Sequence, residues 1–246
     1  SHHGSQSLVD TRCPGTINVI PSAVSDEAAG FLALGDVALH AVRRAELQIG
    51  ESVIVYGAGM VGQLVIQFAR LSGAHPIIAV DPQASRLALA AQSGATHVID
   101  PSAADLKSQI LNLASLSGVE KSFMCAGVPE VLPPALTCAA DRGKVMLTGS
   151  PSGAASIPLR ADLLRKELAI IGTYESHLNV AHPYWPWTRD RNRETYLRLV
   201  AEQQLRLDHL LSNVIPAVKA PATYQQLLEA SFPAEHLGIV FDWSDG

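Results

Sequence analysis

The stretch Ser52–Asp81, SVIVYGAGMVGQLVIQFARLSGAHPIIAVD, decides how this chain folds. An apolar run, Val53–Tyr56, leads into a turn of the form G-x-G-x-x-G whose glycines are Gly57, Gly59 and Gly62. Val61, Leu64, Val65, Phe68 and Ala69 then recur at helical spacing, and a second apolar run ends in Asp81, 24 residues after Gly57. Strand, glycine turn, helix, strand and acid, in that order, form a βαβ unit built around a dinucleotide. Gly57 permits the tight turn, Gly59 lets backbone approach a pyrophosphate, and Gly62 lets the helix lie close to the sheet. The pyrophosphate then rests on unpaired N–H groups at the helix start, around Met60 and Val61.

Asp81 bears on which dinucleotide is expected. A carboxylate there accepts hydrogen bonds from the ribose 2′-OH of NAD and repels the 2′-phosphate of NADP, so NAD is the predicted cofactor. Arg86, five residues on, either lies over the adenine or against a phosphate, or stands as a solvated helix residue.

Working outward, the alternation of strands and helices continues. Ser25 and Glu27 open a capped helix through Ala28–Leu34, and Val37–Ala45 forms another that stops before Gly50. Downstream, the pattern predicts a helix over Pro82–Ser93 closed by Gly94, a strand at His97–Ile99 and a helix from Ser102 to Ser115. A second half follows, with a strand at Glu120–Cys125, a helix at Pro129–Ala140 and strands at Lys144–Leu147 and Leu168–Thr173. Six strands joined by helices imply an α/β fold, a doubly wound parallel Rossmann sheet; if it is of the usual dinucleotide type, its order is 3-2-1-4-5-6, with the ligand over the carboxyl ends of strands one and four. Beyond it come the irregular stretch His177–Arg193, helices at Glu194–Leu205 and Tyr224–Ala230, and a final strand at Gly238–Trp243. With a strand or two in Leu8–Ile20, that tail forms a partial second region to which both chain ends contribute.

Bulk composition narrows the function classes. The 246 residues are 48 % apolar and 17 % charged, and 18 basic against 23 acidic residues give a net charge of −5. No basic stripe offers itself to nucleic acid: Arg189, Arg191 and Arg193 are interrupted by Asp190 and Glu194. The apolar stretch Val53–Ala69 is too short for a membrane span and carries Gln63 and Gln67. Cys13, Cys125 and Cys138 show no C-x-x-C spacing and leave one thiol unpaired in any disulfide scheme, which fits a reducing, cytoplasmic setting. The opening SHHGS is either the remnant of an affinity tag or native sequence.

The lead-in IPSAVSDEAAGFLALGDVALHAVRRAELQIGES, the glycine unit, AVDPQASRLALAAQSGATHVID, and the later CAG, GKVMLTG and IIGTY strand ends together resemble a medium-chain dehydrogenase/reductase. This is the superfamily of zinc-type alcohol and polyol dehydrogenases and their quinone-reductase relatives. The likeness runs roughly over Ile20–Phe241 and is far more specific than the glycine motif alone. It implies an NAD-dependent oxidoreductase acting on an alcohol or polyol, or on the corresponding carbonyl, as its small-molecule substrate. Members have a GroES-like catalytic domain ahead of the nucleotide domain. Here residues 1–24 read as its last stretch, 25–212 as the dinucleotide domain and 213–246 as the segment that returns to it. The chain is thus expected to be a fragment of a longer enzyme or a naturally short one, in either case possessing cofactor binding without assured turnover. The zinc ligands of the family match no residue here, so zinc is expected in a full-length relative and not in this chain.

The resemblance also assigns places around the cleft. Ala126 and Gly127 after the fourth strand, and Gly149 and Ser150 after the fifth, fall where the superfamily runs its backbone past ribose and nicotinamide. Simple turn chemistry is the alternative for these glycines. Cys125 reads as a small wall residue and not a nucleophile. Asp36 reads first as a helix N-cap, with orientation of substrate as the alternative. Tyr174, His177, His182, Trp185 and Trp187 follow the sixth strand; they either line a substrate cleft, with Tyr174 or His182 as weak acid–base candidates, or form a packed lid. Two other functions compete: a zinc-free quinone or enoyl reductase, and a non-catalytic NAD-binding or interaction module. The apolar sixth strand, flanked by Lys166 and Glu167, predicts a homodimer paired edge to edge.

Overall fold

The computed structural model describes residues 17–102, 105–114, 117–174, 185–229 and 237–243. Two helices open it, α1 (Asp26–Gly30) and α2 (Leu32–Ala45). Ser25 caps the first, its hydroxyl oxygen accepting the Ala28 N–H at 3.2 Å. The alternating core follows: β1 (Val53–Tyr56), α3 (Met60–Leu71), β2 (Ile77–Val80), α4 (Ala84–Ser93), β3 (His97–Ile99) and α5 (Leu106–Leu113). It continues as β4 (Val119–Met124), α6 (Leu132–Cys138), β5 (Ala139–Leu147) and β6 (Ala169–Gly172). These strands form one parallel sheet in the order β3-β2-β1-β4-β5-β6, the doubly wound order expected.

Why this sequence makes such a sheet is visible in β1. All four of its residues are buried, because successive side chains point to opposite faces and helices cover both. Val53 and Val55 enter a core with Ala38, Val42, Leu64 and Phe68 of α2 and α3. Ile54 and Tyr56 enter the other, with Ile110 of α5 and Leu136 of α6. Each such side chain stabilises the fold by about 1.5–3 kcal/mol when fully buried. At the amino ends of the strands, Glu120 accepts the Ser52 N–H at 2.8 Å and Lys121 pairs with Glu51 at 3.1 Å. This polar seam leaves the carboxyl ends free for a site.

The later main elements are α7 (Arg189–Ala201), β7 (Leu211–Pro216), α8 (Ala220–Leu228) and β8 (Gly238–Asp242). β7 and β8 pair in parallel as a small second sheet. Of the early stretch expected to add a strand, Ile17–Ile20 is irregular and Leu8–Thr16 lies outside the described residues. A Cβ on Gly238 would meet Phe31 at 2.9 Å, so the two regions touch at the α1–α2 junction.

Several boundaries differ from the sequence reading for local reasons. α7 starts at Arg189, not Glu194, because the Thr188 hydroxyl caps the Arg191 N–H at 3.2 Å. The helix expected over Pro129–Ala140 is a 3-10 turn at Pro129–Val131 followed by α6. β5 begins already at Ala139, and its pairing with β4 slips between Val119 and Lys121, with Arg142 at φ 60°.

Candidate dinucleotide-binding site

The carboxyl ends of β1, β4 and β5 meet backbone to backbone. The Cys125 and Ala126 N–H groups donate to the Tyr56 carbonyl at 2.8 and 3.0 Å. A Cβ on Gly57 would lie 2.7 Å from the Ala126 nitrogen, and one on Gly149 would lie 2.5 Å from the Ala126 carbonyl oxygen. Gly57 also has φ 92°, a left-handed conformation that glycine adopts without steric cost. Gly62 faces the turn from the helix side, where a Cβ would come 2.0 Å from the Gly57 carbonyl oxygen.

Gly59 and Gly127 behave differently: a Cβ on either would point into open space. Gly59 is the N-cap of α3 and offers no side chain to its first N–H groups. Those donors and the positive end of the helix dipole can hold an anionic group there. Met60, which starts the helix, is buried, while Val61 is half-buried.

Asp81 immediately follows β2 and is 2 % exposed. One carboxylate oxygen accepts the Ala58 N–H at 2.8 Å, fixing the glycine turn, and the other accepts the Gln83 N–H at 2.8 Å. The Arg86 guanidinium lies 3.8 Å from the carboxylate and is about one-third exposed, so it leans toward Asp81 instead of standing free on α4. Each carboxylate oxygen has a second lone pair with which to accept a further donor.

Other predicted positions fall differently. Cys125 is half-buried by exposure but closely walled by protein, and burial pushes its thiol up to about 12, so it is a neutral wall group at physiological pH. Asp36 is not an N-cap. α2 begins at Leu32, placing Asp36 inside the helix and 1 % exposed, where it accepts the Asn192 side-chain amide at 2.8 Å. Arg189 and Arg193 of α7 approach it at 3.8 and 3.6 Å. It joins α2 to α7 from inside the helix, which overturns the reading of Asp36 as a cap.

Tyr174 is 82 % exposed, and His177 and His182 lie outside the described residues. Trp187 is stacked by the guanidiniums of Arg43 and Arg191, 3.8 and 4.4 Å from its ring centre, and Trp185 meets His40 edge-on at 5.9 Å. Both tryptophans therefore pack on α2. Ser150 is exposed beyond Gly149. A cleft of about 560 Å³ opens instead between Ala23–Ala28 and Val200–Asp208, but none of the strand-end residues line it.

Sequence reasoning missed two functional-looking side chains, the buried glutamines Gln63 and Gln67 on one face of α3. Gln67 clamps the Arg206 backbone by two 2.8 Å bonds. Two glutamines at helical spacing on an otherwise apolar face were the available signal.

Compared with known proteins, residues 60–189 match the family model described as zinc-binding dehydrogenase. The chain belongs to that family. It is 32 % identical to sorbitol dehydrogenase of Bacillus subtilis over 157 residues, 63 % of this chain and 44 % of that protein. It is 30 % identical to L-threonine 3-dehydrogenase of Pyrococcus abyssi, over 67 % of this chain and 44 % of that protein. Among solved structures, galactitol-1-phosphate dehydrogenase from Escherichia coli superposes with a TM-score of 0.76 at 26 % identity, covering 89 % of this chain and 62 % of that one. A structure assigned as a zinc-binding dehydrogenase from Sinorhizobium meliloti, bound to NADP, gives 0.75 at 27 % identity over 90 % and 61 %. The chain spans about half the length of the curated relatives it matches.

Among the described residues, no three His, Cys, Asp or Glu side chains gather where they could hold a metal ion. Nor is any described helix long and apolar enough to cross a membrane.

Proposed function

We propose that this chain binds NAD over the carboxyl ends of β1 and β4 and forms the cofactor-holding part of an oxidoreductase for alcohols or polyols. The observation that carries the reading is the buried Asp81 carboxylate locked onto the Ala58 amide, beside a glycine turn that is open at Gly59. Gly57, Gly59, Met60, Val61 and Gly62 receive the pyrophosphate, and Asp81 receives the adenosine ribose. Arg86 lies toward the adenine. Ala126, Gly127, Gly149 and Ser150 border the nicotinamide side.

When bound, the nicotinamide supplies the hydride acceptor or donor. The residues of this chain bind and orient it: the α3 amino end neutralises the phosphates, Asp81 fixes one ribose, and the neutral Cys125 keeps a charge-free wall near the reacting end. NAD is favoured over NADP because a 2′-phosphate would meet a buried carboxylate. The names of the relatives, sorbitol dehydrogenase and L-threonine 3-dehydrogenase, support a hydroxyl-bearing substrate.

Residues 25–212 act as the dinucleotide unit and 213–246 as a segment serving a neighbouring region. β6 lies at the sheet edge, and pairing of two such edges across a two-fold axis gives a homodimer. Light scattering at micromolar concentration tests it: a mass of 26.1 kDa at every concentration rejects the dimer.

The activity is tested by following NADH absorbance with saturating NAD and a panel of polyols and secondary alcohols. Formation of NADH supports an oxidoreductase. Saturable NAD binding without turnover of any alcohol assigns the chain instead as a non-catalytic NAD-binding module.

A further inference from the structure

Gln63 follows the third glycine of the turn and is completely buried in the first turns of α3. An uncharged amide in that position must find partners for two N–H donors and a carbonyl oxygen, or cost the fold free energy. It finds all of them. Its Nε2 donates to the Ala58 carbonyl at 2.9 Å and to the Arg86 carbonyl at 3.0 Å. With both donors committed, Oε1 must accept, and the Ser93 hydroxyl donates to it at 2.8 Å. Ser93 is 3 % exposed and has one hydrogen, so the His209 Nε2, 2.8 Å away, must donate to the Ser93 oxygen.

The chain of bonds thus has one direction, from His209 through Ser93 and Gln63 to two carbonyls. Those carbonyls belong to the residues that flank Asp81. Ala58 gives its N–H to the Asp81 carboxylate, and the Arg86 guanidinium approaches the same carboxylate. One buried amide therefore sets the spacing between the glycine turn and the start of α4.

We propose that Gln63 is a positioning residue for the adenosine end of the cofactor, held in its working orientation by Ser93 and His209. This rests on the reading of the strand-end crevice as the NAD site. Gln63 touches no cofactor atom in this account; it acts by keeping Ala58 and Arg86 in register around Asp81. The relay also ties the 205–210 segment before β7 to the cofactor loop, an arrangement that Gln67 reinforces through its two bonds to Arg206.

The test compares binding of NADH, by nicotinamide fluorescence, and of ADP-ribose, by calorimetry, to the wild-type chain, Gln63→Met and Ser93→Ala. Methionine keeps the length of the side chain and removes all three bonds. Gln63→Met is expected to raise both dissociation constants by the same factor, on the order of tenfold, with one site per chain retained. Ser93→Ala, which strips the donor to Oε1 together with the acceptor for His209 and leaves both carbonyl bonds of Gln63, is expected to raise both by about threefold. A purely structural role would lower the number of binding sites through unfolding while leaving affinity unchanged, and that result overturns the proposal. Wild-type affinity in both variants overturns it equally. If the wild-type chain itself binds neither ligand, the cofactor reading falls first and the positioning role with it.

Discussion

The Cβ that Gly62 lacks would lie 2.0 Å from the carbonyl oxygen of Gly57. That oxygen belongs to backbone held on its other side by the Gly57 N–H bond to Val80 at 2.8 Å, so the turn has little room to retreat. Gly62→Ala must therefore lift α3 from the sheet or distort the turn. The expected cost is about 1–3 kcal/mol in urea unfolding, with weakened NADH binding in the surviving folded chain. A variant of wild-type stability and affinity would show that the close approach is dispensable.

Asp36 yields a prediction that separates structure from function. Its carboxylate is buried against Asn192, Arg189 and Arg193, far along the chain in α7. Asp36→Ala leaves two guanidiniums facing a vacated site and is expected to cost about 3 kcal/mol of stability. NADH affinity of the folded fraction should not change. Loss of binding at unchanged stability would instead give Asp36 a role at the cofactor site.

How much of this was legible in the sequence follows from the range of each interaction. The first strand and the glycine turn rest on periodicity within short windows, and Val53–Tyr56 with Gly57–Gly62 displayed them fully; the sheet order followed from the type of fold that this unit belongs to. Asp36 misled because a residue near a helix start is read as a cap. The start is set by the break at Phe31 between α1 and α2, a tertiary matter of packing against β8. Gln63 and Gln67 read only as polar interruptions of an apolar stretch. Their meaning depends on Ser93, Arg206 and His209, which no local pattern brings near them. The α7 start was shifted because Thr188 follows an irregular stretch in which capping, not apolar spacing, marks the helix.

Cys125 gives a pH-dependent expectation. Burial raises its thiol from 9.0 to about 12, so the folded chain holds that proton after the unfolded chain has released it. The stability this group contributes is intact below pH 9 and declines as pH rises from 9 toward 12. At pH 8 its alkylation by iodoacetamide should be slower than that of a free thiol by on the order of a hundredfold, as read by mass spectrometry of the labelled peptide. Rapid labelling of the folded chain at pH 8 would reveal an activated thiol and reopen a chemical role.

The central claim is that Asp81 makes the strand-end crevice a site for NAD, and paired titrations test it most directly. NADH and NADPH are titrated into the wild-type chain and into Asp81→Asn, following nicotinamide fluorescence. The account predicts saturable binding of NADH to the wild type, with NADPH weaker by about tenfold or more, equivalent to ~1.4 kcal/mol. In Asp81→Asn the gap should narrow, since the charge that repels the 2′-phosphate is gone. Equal affinities in the wild type, a preference for NADPH, or no binding of either would contradict it.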